Sequence, residues 1–255
     1  MHVFAKIAPM EKRFFVEKQN ILGETISLTD DEHLHLSKVM RLRVGDAVEC
    51  FYDASNVFEC EIQIITKNAT TLKIIGEREC TQNPTREVVL FQALPKLDKL
   101  ELVTQKAVEL GLTKIVPFSS AYCVAKENIN KIERLKKIVV SACKQCGRTK
   151  LLEVESPIKF KELLNALKDF EVVLFANECE DTVSINEILN SVRIKGAKDL
   201  NRVAYVVGSE GGFSKEEIDE LKKVATSVSL GKRILRTETA AIAMGAIILY
   251  ELGEI

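Results

Sequence analysis

Three glycines and a carboxylate follow an apolar segment in "RVAYVVGSEGGFSKEE", residues 202–217. Glycine tolerates positive φ and lets a ligand approach the main chain closely. Ser214 and Glu217 have the S-x-x-E spacing of a capping box, so the loop is predicted to lead into a helix. Because free N–H groups converge at a helix N-terminus, this loop is a candidate site for a ligand that binds the main chain.

The spacing of the glycines excludes two familiar phosphate-binding loops. A Walker A loop requires a lysine after its last glycine, and none follows Gly212. A dinucleotide fold requires G-x-G-x-x-G early in the chain and an acidic residue at the end of the next strand. Here the pattern is G-x-x-G-G, and the next strand, "SVSLG", ends without a carboxylate. A ligand that contacts the main chain without a phosphate clamp remains, with a plain tight turn as the alternative.

A second glycine loop, "LGKRILRTETA", covers residues 230–240 and leads into the last apolar segment. It offers Gly231, then Arg233 and Arg236, and Thr237 is the expected cap of the following helix. Two consecutive strand-to-helix loops can line one crevice at the carboxyl edge of a parallel sheet. The small residues of "TAAIAMGA" should let that last helix pack closely against its neighbours.

Alternating strands and helices are predicted to position these loops. Apolar runs predict strands at 88–94, 114–118, 172–177, 202–208 and 226–231. Helical spacing of apolar residues predicts helices at about 97–110, 129–147 and 237–252. This alternation predicts an α/β domain with a mostly parallel sheet over residues 88–255.

The first part of the chain has a different pattern. Residues 1–76 contain four β-branched segments, "ETISL", "AVECFY", "VFECEIQIIT" and "TLKIIG". Thr29 or Asp30 could cap a short helix, "DEHLHLSKVMRL", with Leu34, Val39 and Leu42 partly on one face. We expect a small barrel or half-barrel, and the polar stretch 77–87 is predicted to be a linker.

Composition limits the class of protein. No apolar run reaches the ~20 residues of a membrane span, and the N-terminus lacks a secretory signal, so a cytoplasmic protein is expected. Seven scattered cysteines predict reduced thiols. His33 and His35 lie on different helix faces and Cys143-x-x-Cys146 has no partner pair, so no metal site is expected.

Four segments in the same order resemble one known family. "QKAVELGLTKIVPF", "ACKQCGRT", "VGSEGGFS" and "LGKRILRTETA", with the early "HLSKVMRLRVGD", are similar to the ribosomal RNA small subunit methyltransferase E family of the SPOUT superfamily. The resemblance implies a PUA-like RNA-binding domain over residues 1–76 and a SPOUT domain with a deep trefoil knot. It implies a homodimer that methylates N3 of one uridine in 16S ribosomal RNA of the small subunit. No DNA or membrane partner is expected.

The resemblance also implies S-adenosylmethionine as cofactor. Main-chain groups of three loops would hold it, and the implied cofactor-binding residues are Ala176, Asn177, Gly208, Ser209, Glu210, Gly211, Gly212, Leu230, Gly231, Ile234, Leu235 and Thr237. The family commonly has proline where this chain has Ser209. Because proline fixes φ, serine at this position removes a φ constraint from the loop.

Methylation of uracil N3 first requires loss of its proton, so a base, or a cation that stabilises the uracil anion, is needed. The candidate catalytic residues are Arg148, Arg236 and Glu210. Arg148 is the leading cation by resemblance, with a surface arginine at a helix end as the alternative. Arg236 could instead pair with Glu238 or another acid, and Glu210 could instead hold its own loop through backbone N–H groups.

The expected RNA-binding residues of the first domain form a local basic patch. Residues 1–76 contain nine Lys and Arg against eleven Asp and Glu, so the domain cannot attract RNA by its net charge. The candidates are Lys12, Arg13, Lys38, Arg41 and Arg43. Two other functions stay open: a SPOUT enzyme acting on a ribose 2′-OH or a tRNA base, and a non-catalytic RNA-binding or assembly protein.

Overall fold

The computed structural model describes residues 12–96, 98–123, 129–178, 185, 187, 188, 190 and 200–255. They form two compact units. The first takes the described residues up to Asn83 together with Val140–Leu151, and the second takes those of Pro84–Val139 and Leu152–Ile255. The helix Ile129–Cys146 therefore contributes residues to both units.

The first unit is a six-stranded sheet around its own apolar core. The strand order is β1-β4-β5-β6-β3-β2, with β1 parallel to β4 and the other pairs antiparallel. The four predicted strands are confirmed as β3 to β6, and two shorter strands join them. The strands are β1 Arg13–Phe15, β2 Ile21–Leu22, β3 Thr25–Thr29, β4 Ala47–Phe51, β5 Asn56–Ile65 and β6 Ala69–Glu79.

β6 extends to Glu79, so the stretch predicted as a linker begins as strand. The next strand begins at Glu87, where that stretch ends. Cys80, between them, is buried and its thiol donates to the Gly147 carbonyl within the first unit.

The predicted helix of this unit is shorter than expected and changes its winding. α1 spans Asp30–Leu34 and continues as a π-helical turn over His35–Val39, where Met40 N donates to His35 O at 2.9 Å. The prediction that Leu34 and Val39 share the apolar face is wrong, because they are 50% and 69% exposed. The buried apolar residue of this segment is Leu36 instead, which lies in the π turn and packs in the core of the first unit.

The second unit has a seven-stranded, entirely parallel sheet, which confirms the predicted α/β class. Its order is β10-β8-β7-β12-β11-β13, and β9 pairs with β8. β7 and β12 are central and almost wholly buried, as continuous apolar runs require. The strands are β7 Glu87–Ala93, β8 Lys114–Ser119, β9 Glu153–Val154, β10 Ile158–Lys159, β11 Val172–Ala176, β12 Arg202–Val207 and β13 Thr226–Val228.

Five helices of the described residues accompany this sheet: α2 Lys99–Leu110, α3 Ile129–Cys146, α4 Phe160–Ala166, α5 Lys215–Leu221 and α6 Thr237–Leu252. α2 begins at Lys99, and Leu97, expected at its start, lies outside the described residues. α6 packs closely on the sheet, as its small residues predict: a Cβ on Gly245 would lie 2.6 Å from the Tyr205 hydroxyl. None of the helices in the described part of the chain has the length and apolar character of a membrane span.

Candidate functional site

A cavity of about 510 Å³ opens at the carboxyl ends of β11, β12 and β13. Because parallel strands end at the same edge, their loops meet there, as expected for an open α/β sheet. Its lining residues are Lys99, Ala176, Asn177, Glu178, Val207, Gly208, Ser209, Glu210, Gly212, Phe213, Ile218, Ser229, Leu230, Gly231, Lys232, Arg233, Ile234, Leu235, Arg236, Thr237 and Ala240.

Each of the three positions in the first loop requires glycine for a different structural reason. A Cβ on Gly208 would lie 3.2 Å from the backbone of Gly212, so the loop closes tightly on itself. A Cβ on Gly211 would lie 2.7 Å from Cβ of Tyr122, so Gly211 is required for packing. Gly212 has φ +66° and lines the cavity, and a Cβ there would have a single atom within 4 Å among the described residues, Oε1 of Glu178. A side chain at Gly212 would therefore be both strained and directed into open space.

The loop enters α5 through the capping box that its sequence predicts. Ser214 Oγ accepts from the N–H of Glu217 at 3.2 Å, and Glu217 Oε2 accepts from the N–H of Ser214 at 3.0 Å. The other carboxylate oxygen of Glu217 accepts from the N–H of Ala121 at 2.8 Å. The capping residue therefore also fixes the segment that contains Tyr122 and packs on Gly211.

A buried polar cluster joins β7, the glycine loop and α6. Gln92 Nε2 donates to Gly208 O at 3.3 Å and to Thr237 Oγ1 at 3.0 Å, and Thr237 Oγ1 itself donates to Gly208 O. Thr237 is therefore not the helix cap that was expected, because Arg236 is the N-cap and the Thr237 hydroxyl binds the neighbouring loop. This cluster fixes the start of α6 against the glycine loop that lines the cavity.

Lys99 links two carboxylates at the side of the cavity. Its Nζ lies 3.0 Å from Glu210 Oε1 and 3.2 Å from Glu238 Oε2. The hydrogen bond to Glu210 raises the pKa of Lys99, against the opposing effect of burial. Burial also opposes ionisation of Glu210, but N–H donors of its own backbone and of Lys96, together with Lys99, lower the pKa of its carboxyl. Glu210 is thus held as a carboxylate that restrains the loop.

The second loop carries the positive charge of the site. Lys232, Arg233 and Arg236 line the cavity, are exposed, and form no ion pair with another described residue. The alternative that Arg236 pairs with Glu238 is not what the structure has, because Glu238 pairs with Lys99. Among the lining residues, four cations face two carboxylates, Glu178 and Glu210, which leaves two positive charges in excess.

Comparison with known proteins identifies the family. The RNA methyltransferase domain family matches residues 81–249, and the RNA methyltransferase PUA domain family matches residues 28–75. A ribosomal RNA small subunit methyltransferase E of Rickettsia conorii is 34% identical over 90% of this chain and 91% of its own. The chain belongs to the ribosomal RNA small subunit methyltransferase E family.

Further members of the methyltransferase E family support this assignment over the whole length. The member from Bacillus subtilis is 32% identical over 94% of this chain and 96% of its own. A crystal structure of the member from Neisseria gonorrhoeae, bound to S-adenosylmethionine, has a TM-score of 0.82 and 26% identity. That comparison covers 94% of this chain and 97% of the other. The α/β methyltransferase unit and the strand-rich first unit are thus the two parts that the family resemblance implies.

Eleven of the twelve residues implied for cofactor binding line this cavity, and Gly211 does not because it packs on Tyr122. Their role as cofactor contacts in this member of the methyltransferase E family stays a prediction. Two of the three candidate catalytic residues, Arg236 and Glu210, also line it. The structure therefore brings together most of the residues that were selected from three separate segments.

Arg148 is not among the residues that line this cavity. It belongs to the first unit, is 2% exposed, and its Nε donates to Lys150 O at 2.7 Å. Burial lowers the pKa of its guanidinium. The alternative of a surface arginine is excluded by this burial, and the side chain stabilises the interior of the first unit. A catalytic role of Arg148 stays a prediction that the cavity lining does not support.

The expected RNA-binding residues divide into two groups. Lys38, Arg41 and Arg43 are exposed, and Lys12 is 38% exposed and lies 3.9 Å from Asp46. Arg13 is buried, lies over the Phe51 ring at 4.6 Å and donates to Arg148 O. Burial of Arg13 favours a structural role over contact with phosphate. His33 is also buried, with ring nitrogens 2.8 Å from Thr70 Oγ1 and 3.3 Å from Lys67 O.

Sequence reasoning missed Gln92, Lys99 and the pairing of Lys99 with Glu238. Gln92 had a recognisable signal, because a glutamine inside the apolar run "VVLFQAL" must find partners when that strand is buried. Lys99 and Glu238 had none, since their ion pair joins the starts of two helices that lie far apart in the chain.

Proposed function

We propose that this protein transfers the methyl group of S-adenosylmethionine to N3 of a uridine in 16S ribosomal RNA. The observation that carries the proposal is the cavity formed by three strand-end loops in a member of the methyltransferase E family. Relatives of this chain are named ribosomal RNA small subunit methyltransferase E, and one was crystallised with this cofactor.

The cavity fits the cofactor by size and by lining. Its volume of about 510 Å³ lies within the usual range for ligand pockets. Gly212 and Gly231 both line it with positive φ, at +66° and +99°, and leave space where side chains would otherwise project. The Ser209 hydroxyl is buried there without a hydrogen-bond partner among the described residues, so a polar ligand group could satisfy it.

S-adenosylmethionine supplies an electrophilic methyl group on a sulfonium, so the protein's task is to align a nucleophile with it and to stabilise charge. Glu210 is a poor acceptor for the N3 proton, because its carboxylate is already hydrogen-bonded and its pKa is lowered. Arg236 is exposed at the cavity and unpaired among the described residues. We assign to Arg236 the stabilisation of the uracil anion as the proton leaves.

Recognition of the substrate is assigned to both units. In the first, Lys38, Arg41 and Arg43 offer exposed cations for phosphates of the small ribosomal subunit. We also propose that the protein acts as a homodimer in the cytoplasm, where the small subunit is assembled. We propose as well that the second unit has the deep trefoil knot that the family resemblance implies.

Methyl transfer to small subunits from a strain that lacks the gene tests the proposal. The purified protein, with methyl-labelled cofactor, should produce 3-methyluridine in 16S ribosomal RNA when the nucleosides are separated by mass spectrometry. A 2′-O-methylated nucleoside, or label only in added tRNA, would assign another target. Cofactor binding without transfer to any RNA, or no cofactor binding by calorimetry, would favour a non-catalytic assembly protein.

A further inference from the structure

Three consecutive side chains at the cavity mouth have no structural task in the described part of the protein. Lys232, Arg233 and Ile234, here called the rim segment, line the cavity and are all exposed. Ile234 is 83% exposed, more than any other large apolar side chain among the described residues. A side chain with so much free surface contributes little of itself to the cavity wall and is available to an incoming molecule.

The charges of the rim segment are uncompensated, unlike those nearby. Lys232 and Arg233 form no ion pair with a described residue, whereas Lys99, which lines the same cavity, contacts two carboxylates. The whole chain carries a net charge of −1, so this local excess of cations is not a consequence of a basic protein. Charge that is concentrated at one mouth attracts an anion to that point.

The chemistry of the rim segment distinguishes between two anions. The cofactor has a single carboxylate and also carries an ammonium and a sulfonium, which several cations would repel. Single-stranded RNA presents successive phosphates to cations and unstacked bases to apolar side chains. A uridine that reacts inside a cavity must also leave its stack, and its exposed face then needs a new apolar contact.

We propose that the rim segment holds the RNA substrate over the cavity, with Lys232 and Arg233 on phosphates that flank the target uridine and Ile234 against its base. This inference rests on the proposed function, because it takes RNA as the substrate. It assigns the Ile234 side chain to RNA and leaves the implied cofactor contact to the main chain of the same loop.

Two charge-removing variants test the phosphate contacts. K232Q/R233Q removes both cations, and K161Q/K222Q removes two exposed lysines of the same unit that do not line the cavity and form no ion pair with a described residue. The measurements are the cofactor Kd by calorimetry and the KM for small subunits from the deletion strain at several KCl concentrations. For K232Q/R233Q, we expect cofactor Kd and kcat within about twofold and a KM raised about tenfold or more.

The salt dependence adds a readout that a structural defect would not change. Loss of two phosphate contacts to single-stranded RNA should reduce the slope of log KM against log salt by about 1.4. The control variant should keep the wild-type KM and slope. Equal behaviour of the two variants would overturn the proposal. So would a shift of K232Q/R233Q from dimer to monomer by light scattering, which would place the rim segment in a subunit interface.

Ile234 is tested by I234S with I234L as its matched control. I234S should raise the KM for subunits about fivefold and leave the cofactor Kd unchanged, whereas I234L should resemble the wild type, since it keeps the apolar surface. If I234S instead bound the cofactor more weakly and kept its KM for subunits, the proposed contact of Ile234 with RNA would be wrong. Its side chain would then belong to the cofactor site.

Failure of the proposed function is separable from failure of this inference. If the wild-type protein transfers no methyl group, the proposed function fails, and direct binding of small subunits by filter retention then tests the rim segment. K232Q/R233Q should bind subunits about tenfold more weakly than K161Q/K222Q does, and equal binding would overturn the inference.

Discussion

At the scale of single residues, Glu210 contributes to stability because hydrogen-bond donors surround its carboxylate. Its carboxylate accepts from Lys96 N and contacts Lys99, and its pKa is lowered because these donors outweigh the effect of burial. A carboxyl with a depressed pKa in the folded state stabilises the protein above the unfolded pKa of about 4.3. That stabilisation is lost as the pH falls through the lower, folded value.

Glu210→Gln should therefore reduce the free energy of unfolding by about 1 kcal/mol at pH 7, because a partly exposed ion pair and its charged hydrogen bonds are lost. The difference from the wild type should persist to about pH 5 and shrink as the pH falls below 4. Urea unfolding at stepwise lower pH measures it. Glu220→Gln, at an exposed pair with Lys223, is the control and should change little at any pH. A deficit in Glu210→Gln that stays constant with pH would contradict the account.

Replacing Arg148 tests whether this residue stabilises the fold or takes part in catalysis. It is 2% exposed and hydrogen-bonded within the first unit, so Arg148→Ala should lower the free energy of unfolding by about 3 kcal/mol. Arg134→Ala removes an arginine that is 64% exposed and paired with Glu101, and should cost under about 1 kcal/mol. Lost methyl transfer with unchanged unfolding would instead support the catalytic role that the family resemblance suggests.

At the scale of elements, the glycine loop combines strain with access. Gly212→Val should weaken cofactor binding about 100-fold, or about 2.8 kcal/mol, because a side chain would occupy the cavity. Gly253→Val provides the same type of strain, at φ +77° in the same unit, but Gly253 does not line the cavity. It should lose stability and keep its cofactor affinity by calorimetry. Equal cofactor affinity in both variants would mean that the loop is only a tight turn.

The last helix depends on one close approach to the sheet. Gly245→Ala would place a Cβ 2.6 Å from the hydroxyl of buried Tyr205, which donates to Ala241 O at 3.1 Å. We expect a loss of about 1–3 kcal/mol in unfolding free energy. Tyr205→Phe removes the clashing oxygen, so the double variant should lose less than the sum of the two single losses. Strict additivity would show that the contact is not tight.

The helices and strands also show which features of the fold could be predicted from the sequence. Apolar runs predicted five of the seven parallel strands but not the two-residue strands β9 and β10. The capping box at Ser214 and Glu217 predicted where α5 begins. Thr237 satisfied the sequence rule for a cap, but a tertiary partner, Gly208 O, took its hydroxyl. The π turn after α1 was not predictable because no local pattern distinguishes it from an α-helix. The knot, a property of the chain's path, stays a prediction from the family resemblance.

For the whole molecule, charge is arranged locally and not in bulk. The chain has 36 Lys and Arg against 37 Asp and Glu, yet exposed cations gather at Lys38, Arg41 and Arg43 in the first unit and at Lys232 and Arg233 in the second. A protein with this balance has little long-range attraction for nucleic acid. Substrate selection by such a protein depends on where each small group of cations lies.

The central claim is that the loops after β11, β12 and β13 form one site for the methyl donor. A crystal structure with S-adenosylmethionine tests it most directly. We predict that the cofactor lies in the cavity beside the main chain of Gly208, Gly212 and Gly231. Cofactor density at another place on the protein, with this cavity empty, would contradict the account.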